Sequence, residues 1–185
     1  QSLAIGFTAG YCNQGDQASA LGLEAGYCNQ QSGATCLGYQ AGKTCQGVES
    51  FALGTGAGSY FQGSRALALG TEAGRSDQGV FATAAGYQAG YKEQGENSFA
   101  IGYQAGYCNQ RCYAFALGVQ SGYCAQQSFS LALGYQAGET SQARRSLAIG
   151  YLAGNSSQGE NSLAIGFNTG QTTQGNNSVA IGKDA

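Results

Sequence analysis

The sequence predicts an all-β protein, a parallel β-solenoid (a β-roll) of about 11.5 coils of 16 residues that fills 1–185 as a single repeat domain. Three observations predict it. The 185 residues divide from Gln1 into eleven full periods of 16 and nine residues of a twelfth, with no insertion. Counting positions within the period as columns 1 to 16, Gly fills column 6 from Gly6 to Gly182 and column 10 from Gly10 to Gly170, and Gln fills column 14 from Gln14 to Gln174. Column 5 is Ile or Leu in eleven of twelve copies, Ala85 being the exception. A disordered Gly/Gln-rich tract would lack that apolar period.

The consensus period is x-S-L-A-I-G-Y-Q-A-G-Y-C-N-Q-G-x. A helix does not fit it, because each interior Gly costs a helix about 1 kcal/mol. Strands of four or five residues between glycine corners do fit. Two or three such strands per coil, each paired with its copy in the next coil at about 4.8 Å, give a rod about 55 Å long.

Columns 2 to 5 form the clearest strand. Side chains alternate across a strand, so columns 3 and 5 share one face and columns 2 and 4 the other. Columns 3 and 5 hold the larger apolar groups: Leu3 and Ile5, Phe51 and Leu53, Phe99 and Ile101, Leu163 and Ile165. Bulk assigns them to the inside of the coil, where each is worth roughly 1.5–3 kcal/mol. Columns 2 and 4 are then a flat outer strip of small residues: Ser2, Ala4, Ser50, Ala52, Ser98, Ala100, Ser130, Ala132, Ser146, Ala148, Ser162 and Ala164. Such a strip would let neighbouring rods approach closely, and it is the candidate oligomer interface.

Columns 6 and 10 are corners needing positive φ or close approach between coils. Column 9 is Ala except at Ser121 and Thr169, and packs inward beside a corner. Column 14 is a second corner, where stacked Gln side chains can form an amide ladder or satisfy orphan backbone groups. Columns 1, 8, 11 and 16 vary and collect charges such as Glu24, Lys43, Arg65, Glu72, Arg75 and Arg144, so they face solvent.

The seven cysteines sort by column. Cys12 and Cys28 both stand in column 12 of consecutive coils, as do Cys108 and Cys124. Stacked positions about 4.8 Å apart lie inside the Cα window of a disulfide. Cys36 and Cys45 share one coil and could bridge only if columns 4 and 13 approach each other; Cys112 is left over. Two arrangements stay open: bridges formed in an oxidising compartment, or small apolar thiols in a reducing one. Without His or a C-x₂-C spacing, a zinc site is not expected.

Tyr recurs in column 7, and in column 11 at Tyr11, Tyr27, Tyr91, Tyr107 and Tyr123. These rings are either a packing ladder or a surface for contact, since Tyr is enriched at interfaces. Lys43, Ser59 and Arg75 interrupt column 11, which leaves two patches.

Composition narrows function further. The net charge of −2 gives no basic footprint for nucleic acid. No run approaches the 18 or more apolar residues of a membrane span. No His, no phosphate loop and no fixed carboxylate register point away from an enzyme, and no cofactor is expected. The absence of Met points to an excerpt of a longer or stacked fibre.

The run Asn177-Ser-Val-Ala-Ile-Gly182, echoed at 161–166 and 97–102, resembles the head repeat of YadA-like trimeric autotransporter adhesins. That resemblance implies a left-handed parallel β-roll assembled as a trimer. The period of 16, the Y-Q-A-G-Y-C-N-Q-G half and the cysteines depart from that family, whose period is typically shorter. The longer form A-I-G-Y-Q-A-G-x-x-N-Q-G is similar to fibre repeats of phages and large DNA viruses. A fainter likeness, the A-G-Y tripeptide within a period of 16, is to bacterial ice-nucleation repeats; their T-x-T ranks are missing here.

These readings imply a structural fibre or adhesin segment, extracellular, on a cell surface or on a virion. It self-associates as a homo-oligomer, a trimer or a bundle, and presents a repetitive surface to a cell-surface or glycan receptor. The alternative is an ice-binding solenoid using a flat face.

Overall fold

A computed structural model describes all residues, 1–185. It contains no helix, and its strands are parallel and short. Twelve strands, one per coil from Leu3–Ile5 to Val179–Lys183, make one continuous sheet from columns 3 to 5. A second sheet of seven strands runs along columns 12 to 14, from Cys12–Gln14 to Cys108–Gln110. Isolated bridges at Cys108, Cys124, Thr140 and Gln142 continue it towards a last pair, Ser157–Gln158 and Thr173–Gln174. Every pairing joins residues 16 apart, as in Leu3↔Ser19, Ala100↔Ala116 and Gln78↔Gln94. The chain is therefore a β-solenoid of about eleven turns.

The corners use left-handed backbone. Column 10 glycines have φ near 53°, and columns 1, 8 and 13 reach the same region mostly with residues other than Gly, as at Arg65 (57°), Gln88 (52°) and Asn109 (54°). Four such turns per coil close a 16-residue path tightly. What remains inside is narrow, and that decides which face of the main strand is buried.

The alternation of columns 2 to 5 is as expected, but its sense is inverted. Ala52, Ala100, Ala132, Ala148 and Ala164 are fully buried, and Ser50, Ser98, Ser130, Ser146 and Ser162 are buried beside them. Leu21, Leu53 and Phe99 point outward with 44 %, 38 % and 38 % of their surface exposed. Leu3 and Ile5 are exposed, and Phe51, Ile101, Leu163 and Ile165 keep partial exposure; none belongs to the core. Ser2 and Ala4 occupy the same inward columns in the first coil described and are exposed there. The Ser/Ala strip is thus an internal lining and not an outer interface.

Close packing is the physical reason. A methyl group added to Gly26 would sit 2.9 Å from Cys36 Sγ and 3.1 Å from Ala20 Cβ. Opposite walls of the coil meet at Ala, Gly and the Gln amide, so no Leu or Phe fits between them. Column 2 accepts Ser because its hydroxyl closes the corner, donating to the column 15 carbonyl, as Ser98 Oγ does to Gly95 O at 2.6 Å.

The largest buried side chains are glutamines. Gln94 Nε2 donates to Thr83 O in its own coil at 2.8 Å and to Ser98 O in the next at 3.4 Å. Amides also join along the rod, as Gln110 to Gln126 at 3.0 Å and Gln126 to Gln142 at 3.1 Å. Both roles open to column 14, the amide ladder and the satisfaction of backbone carbonyls, are realised together.

Candidate functional site

The rod has no deep cleft. Its one concavity, about 260 Å³, is lined by Asp77, Glu93, Gln94, Gly95, Asn109, Gln110, Arg111 and Cys112. No three His, Cys, Asp or Glu side chains converge as metal ligands. No helix is long and apolar enough to cross a membrane. The surfaces that carry recognisable chemistry are the outward columns.

The widest is the outer face of the twelve-stranded sheet. Columns 3 and 5 present Leu, Ile, Phe and Val along every coil but a few, in a straight array held by one-to-one register. Column 7 extends it with Tyr39, Tyr87, Tyr103, Tyr135, Tyr151 and Phe167, each between 44 % and 49 % exposed. Within column 7 the rings stack, Tyr135 on Tyr151 at 5.1 Å and Tyr151 on Phe167 at 5.0 Å.

Column 11 forms two Tyr ladders, as the interruptions implied. Tyr11 stacks on Tyr27 at 5.1 Å; Tyr91, Tyr107 and Tyr123 stack at 4.8 and 4.9 Å. Tyr11 is exposed and the others are half-buried. Burial raises the Tyr107 phenol above its ordinary pKa, with its neighbours Tyr91 and Tyr123 adding to the effect. Arg75 caps the longer ladder, donating to Tyr91 Oη at 2.7 Å and to Glu72 at 2.8 Å.

Both stacked cysteine pairs are disulfides: Cys12–Cys28 and Cys108–Cys124, each with Cα atoms 4.8 Å apart. Each follows a stacked Tyr pair by one residue and ties two adjacent coils. Cys36 and Cys45 are not bridged. Column 4 points into the coil and column 13 away from it, so the two thiols lie on opposite sides of the wall. Desolvation pushes the buried Cys36 thiol up to about 12. Cys36 is therefore protonated and enclosed at neutral pH, and thiolate chemistry is closed to it. In the native protein, alkylation by iodoacetamide at pH 8 should label Cys45 and Cys112 and spare Cys36, which reacts only after denaturation; peptide mass mapping reads the three sites separately.

One group of surface residues was not singled out by the sequence. Columns 16 and 1, assigned there only to variable solvent positions, carry exposed Val80, Phe81, Tyr113 and Phe129. Their irregular spacing hides them from any period-based reading.

The outermost C-terminal coils carry the decisive sequence signal. Residues 141–169 and 172–185 match the YadA head domain repeat. The two copies together span under a quarter of the chain and contain both late N-S-x-A-I-G runs. No curated protein matches the chain. Within the matched residues Ser162 and Ala164 line the interior, while Leu163 and Ile165 face outward beside Val179 and Ile181. The same arrangement continues through coils that the match does not reach.

Proposed function

We propose that the chain is an adhesin-type structural rod, acting outside the cell, that self-associates through the outer Leu/Ile/Phe face of its twelve-stranded sheet. The observation that carries this reading is that face itself. It is about 53 Å long at 4.8 Å per coil, and three columns wide. Monomeric proteins rarely leave a contiguous apolar strip of more than a few hundred Å² uncovered. The YadA head repeat supports an adhesin-type role, the disulfides support an oxidising location, and the YadA resemblance implies three copies. Adhesion then follows from presenting one surface many times along a stiff element, with no catalytic step.

Sedimentation equilibrium tests it. The expected mass is an integer multiple of 18.8 kDa, three-fold for the trimer. The double change Leu117→Ser and Leu133→Ser, which removes two rungs of the outer face and no interior contact, should dissociate the assembly at concentrations where the native chain holds together. Its circular dichroism should stay unchanged. A strict monomer at high concentration sinks the reading.

The regularity of the same array also favours ice binding as a second reading. Its exposed columns hold Thr only at Thr35, Thr55, Thr71 and Thr83. A thermal hysteresis assay separates the two, since an adhesin rod shows none.

A further inference from the structure

Of the eight Lys and Arg side chains, five have an acidic partner within ion-pair distance: Lys43 with Glu24, Arg65 with Glu49, Arg75 with Glu72, Lys92 with Glu93, and Lys183 with Asp184. The other three are Arg111, Arg144 and Arg145. All three are exposed, and all three lie in columns 15, 16 and 1, within a stretch of rod little more than two coils long. Chance placement over the surface of a rod with more acidic than basic groups would scatter them and pair them.

Between them stand Tyr113 and Phe129 in column 1. Their backbones are left-handed, with φ of 59° and 63°. Elsewhere that column holds Gly33, Asn97, Asn161 and Asn177, the residue types that best tolerate this conformation, and otherwise the polar Gln17, Glu49, Arg65 and Arg145 and one more aromatic, Phe81. Bulky aromatic residues are disfavoured there, and these two remain 53 % and 50 % exposed, so the coil interior gains nothing from them. The rings stack face to face at 5.1 Å with planes 1° apart, and the Arg144 guanidinium covers the Phe129 ring at 5.8 Å. Three of the four ring faces are thus occupied, and the rings' exposure leaves their edges outward. The edge of an aromatic ring is the positive end of its quadrupole. Arginines and ring edges together make one electropositive ridge.

We propose that this ridge, Arg111, Tyr113, Phe129, Arg144 and Arg145, binds a sulfated polysaccharide chain. The inference rests on the reading of the rod as an attachment element and names what it attaches to. Guanidinium groups pair bidentately with sulfate-like oxyanions, and weak hydration lets them do so at an exposed site. Unpaired arginines stepped along the axis match a linear polymer with repeated anionic groups. A nucleic acid would need a run of open aromatic faces for its bases, and three of the four faces here are closed. A peptide would need a free strand edge or an apolar groove, and at mid-rod both neighbouring coils are paired. The concavity next to Arg111 carries Asp77 and Glu93, neither within ion-pair distance of it, so a polyanion lies along the ridge and not in that groove.

The test is binding to immobilised heparin, read against salt. The native protein should bind at physiological ionic strength and release as salt rises. The triple change Arg111→Ser, Arg144→Ser and Arg145→Ser should lower affinity at least about tenfold and flatten the salt dependence. Phe129→Asn, which installs a residue that the same column carries at Asn97, Asn161 and Asn177, should weaken binding while leaving the unfolding temperature within a few degrees. Arg75→Ser, far from the ridge, should bind as the native chain does. The proposal is overturned by absence of heparin binding, by equal loss in Arg75→Ser, or by equally tight binding of poly-glutamate, which would make the ridge a site for acidic peptide. Sedimentation of the same variants keeps this apart from self-association: the ridge lies outside columns 3, 5 and 7, so an unchanged mass with lost heparin binding isolates the ridge. A monomeric mass in the native chain with heparin binding intact would count against assembly alone.

Discussion

Gly70→Ala should destabilise the protein by roughly 3–5 kcal/mol and divide the rod into two weakly coupled halves. Gly70 has φ of 120°, and a methyl group there would lie 2.7 Å from the carbonyl oxygen of Gly86 and 2.9 Å from its carbon. Two costs add. An L-residue at that φ is strained by about 1–3 kcal/mol. The clash is with backbone, not with a side chain that can rotate away, so the next coil must lift. Lifting it opens the bond from Gly86 N to Leu69 O, now 2.8 Å, and the sheet pairing Leu69↔Ala85 next to it. Each coil touches only its neighbours, so no distant contact compensates. Chemical denaturation followed by circular dichroism should show a lower midpoint and a second, resolved transition. Hydrogen exchange should speed up on both sides of the altered corner. Gly175→Ala is the matched control: an added methyl group there meets nothing within 4 Å, and its φ is ordinary. That change should move stability by less than about 0.5–1 kcal/mol.

The period that makes Gly70 irreplaceable was fully legible. A gapless repeat admits one register, and pairs such as Ala84↔Ala100 and Gln62↔Gln78 follow from counting. The stacking of Cys12 on Cys28 and of Cys108 on Cys124 was legible for the same reason, while their oxidation to disulfides was left open until the structure showed it. The sense of the main strand was not. Alternation shows that columns 3 and 5 share a face, but only the width of the coil says which face is inside. That width is set by left-handed corners at residues such as Thr8, Gln88 and Glu93, whose types do not announce the conformation. The rule that bulk goes inside fails when the interior admits only Ala, Ser and a Gln amide. Once the sense is inverted, two other outcomes follow. Leu117 and Leu133 change from core to contact face, and Cys36 turns inward, away from Cys45. The ridge at Tyr113 and Phe129 was illegible because it breaks the period, and a period-based reading treats departures as noise.

Gln126→Glu should be tolerated near pH 4 and should cost about 3–4 kcal/mol at pH 7. Gln126 is completely buried. Its amide nitrogen faces three oxygens: Phe115 O at 2.8 Å, Gln142 Oε1 at 3.1 Å and Ser130 O at 3.5 Å. A glutamic acid fits the same volume and, when protonated, can donate to one of those oxygens. When ionised it would set a negative charge against all three, in a place that water does not reach. Only Gln110 Nε2, 3.0 Å from the present amide oxygen, would favour the charge. Burial and the surrounding carbonyls both raise the folded-state pKa of the new carboxyl, by about 3–5 units above its unfolded value near 4.3. The sign follows. Below the unfolded value both states are protonated and the variant differs little from the native chain. As pH rises through the interval between the two values the unfolded state ionises alone, and stability falls by about 1.4 kcal/mol per unit until the folded value is passed. Urea denaturation of both proteins between pH 4 and pH 8 should show a nearly flat native curve and a variant that loses stability continuously. A variant whose midpoint is independent of pH would mean that water reaches column 14 or that the side chain swings out. Either outcome would remove the Gln ladder from the interior, and with it the reason why one amide recurs in every complete coil.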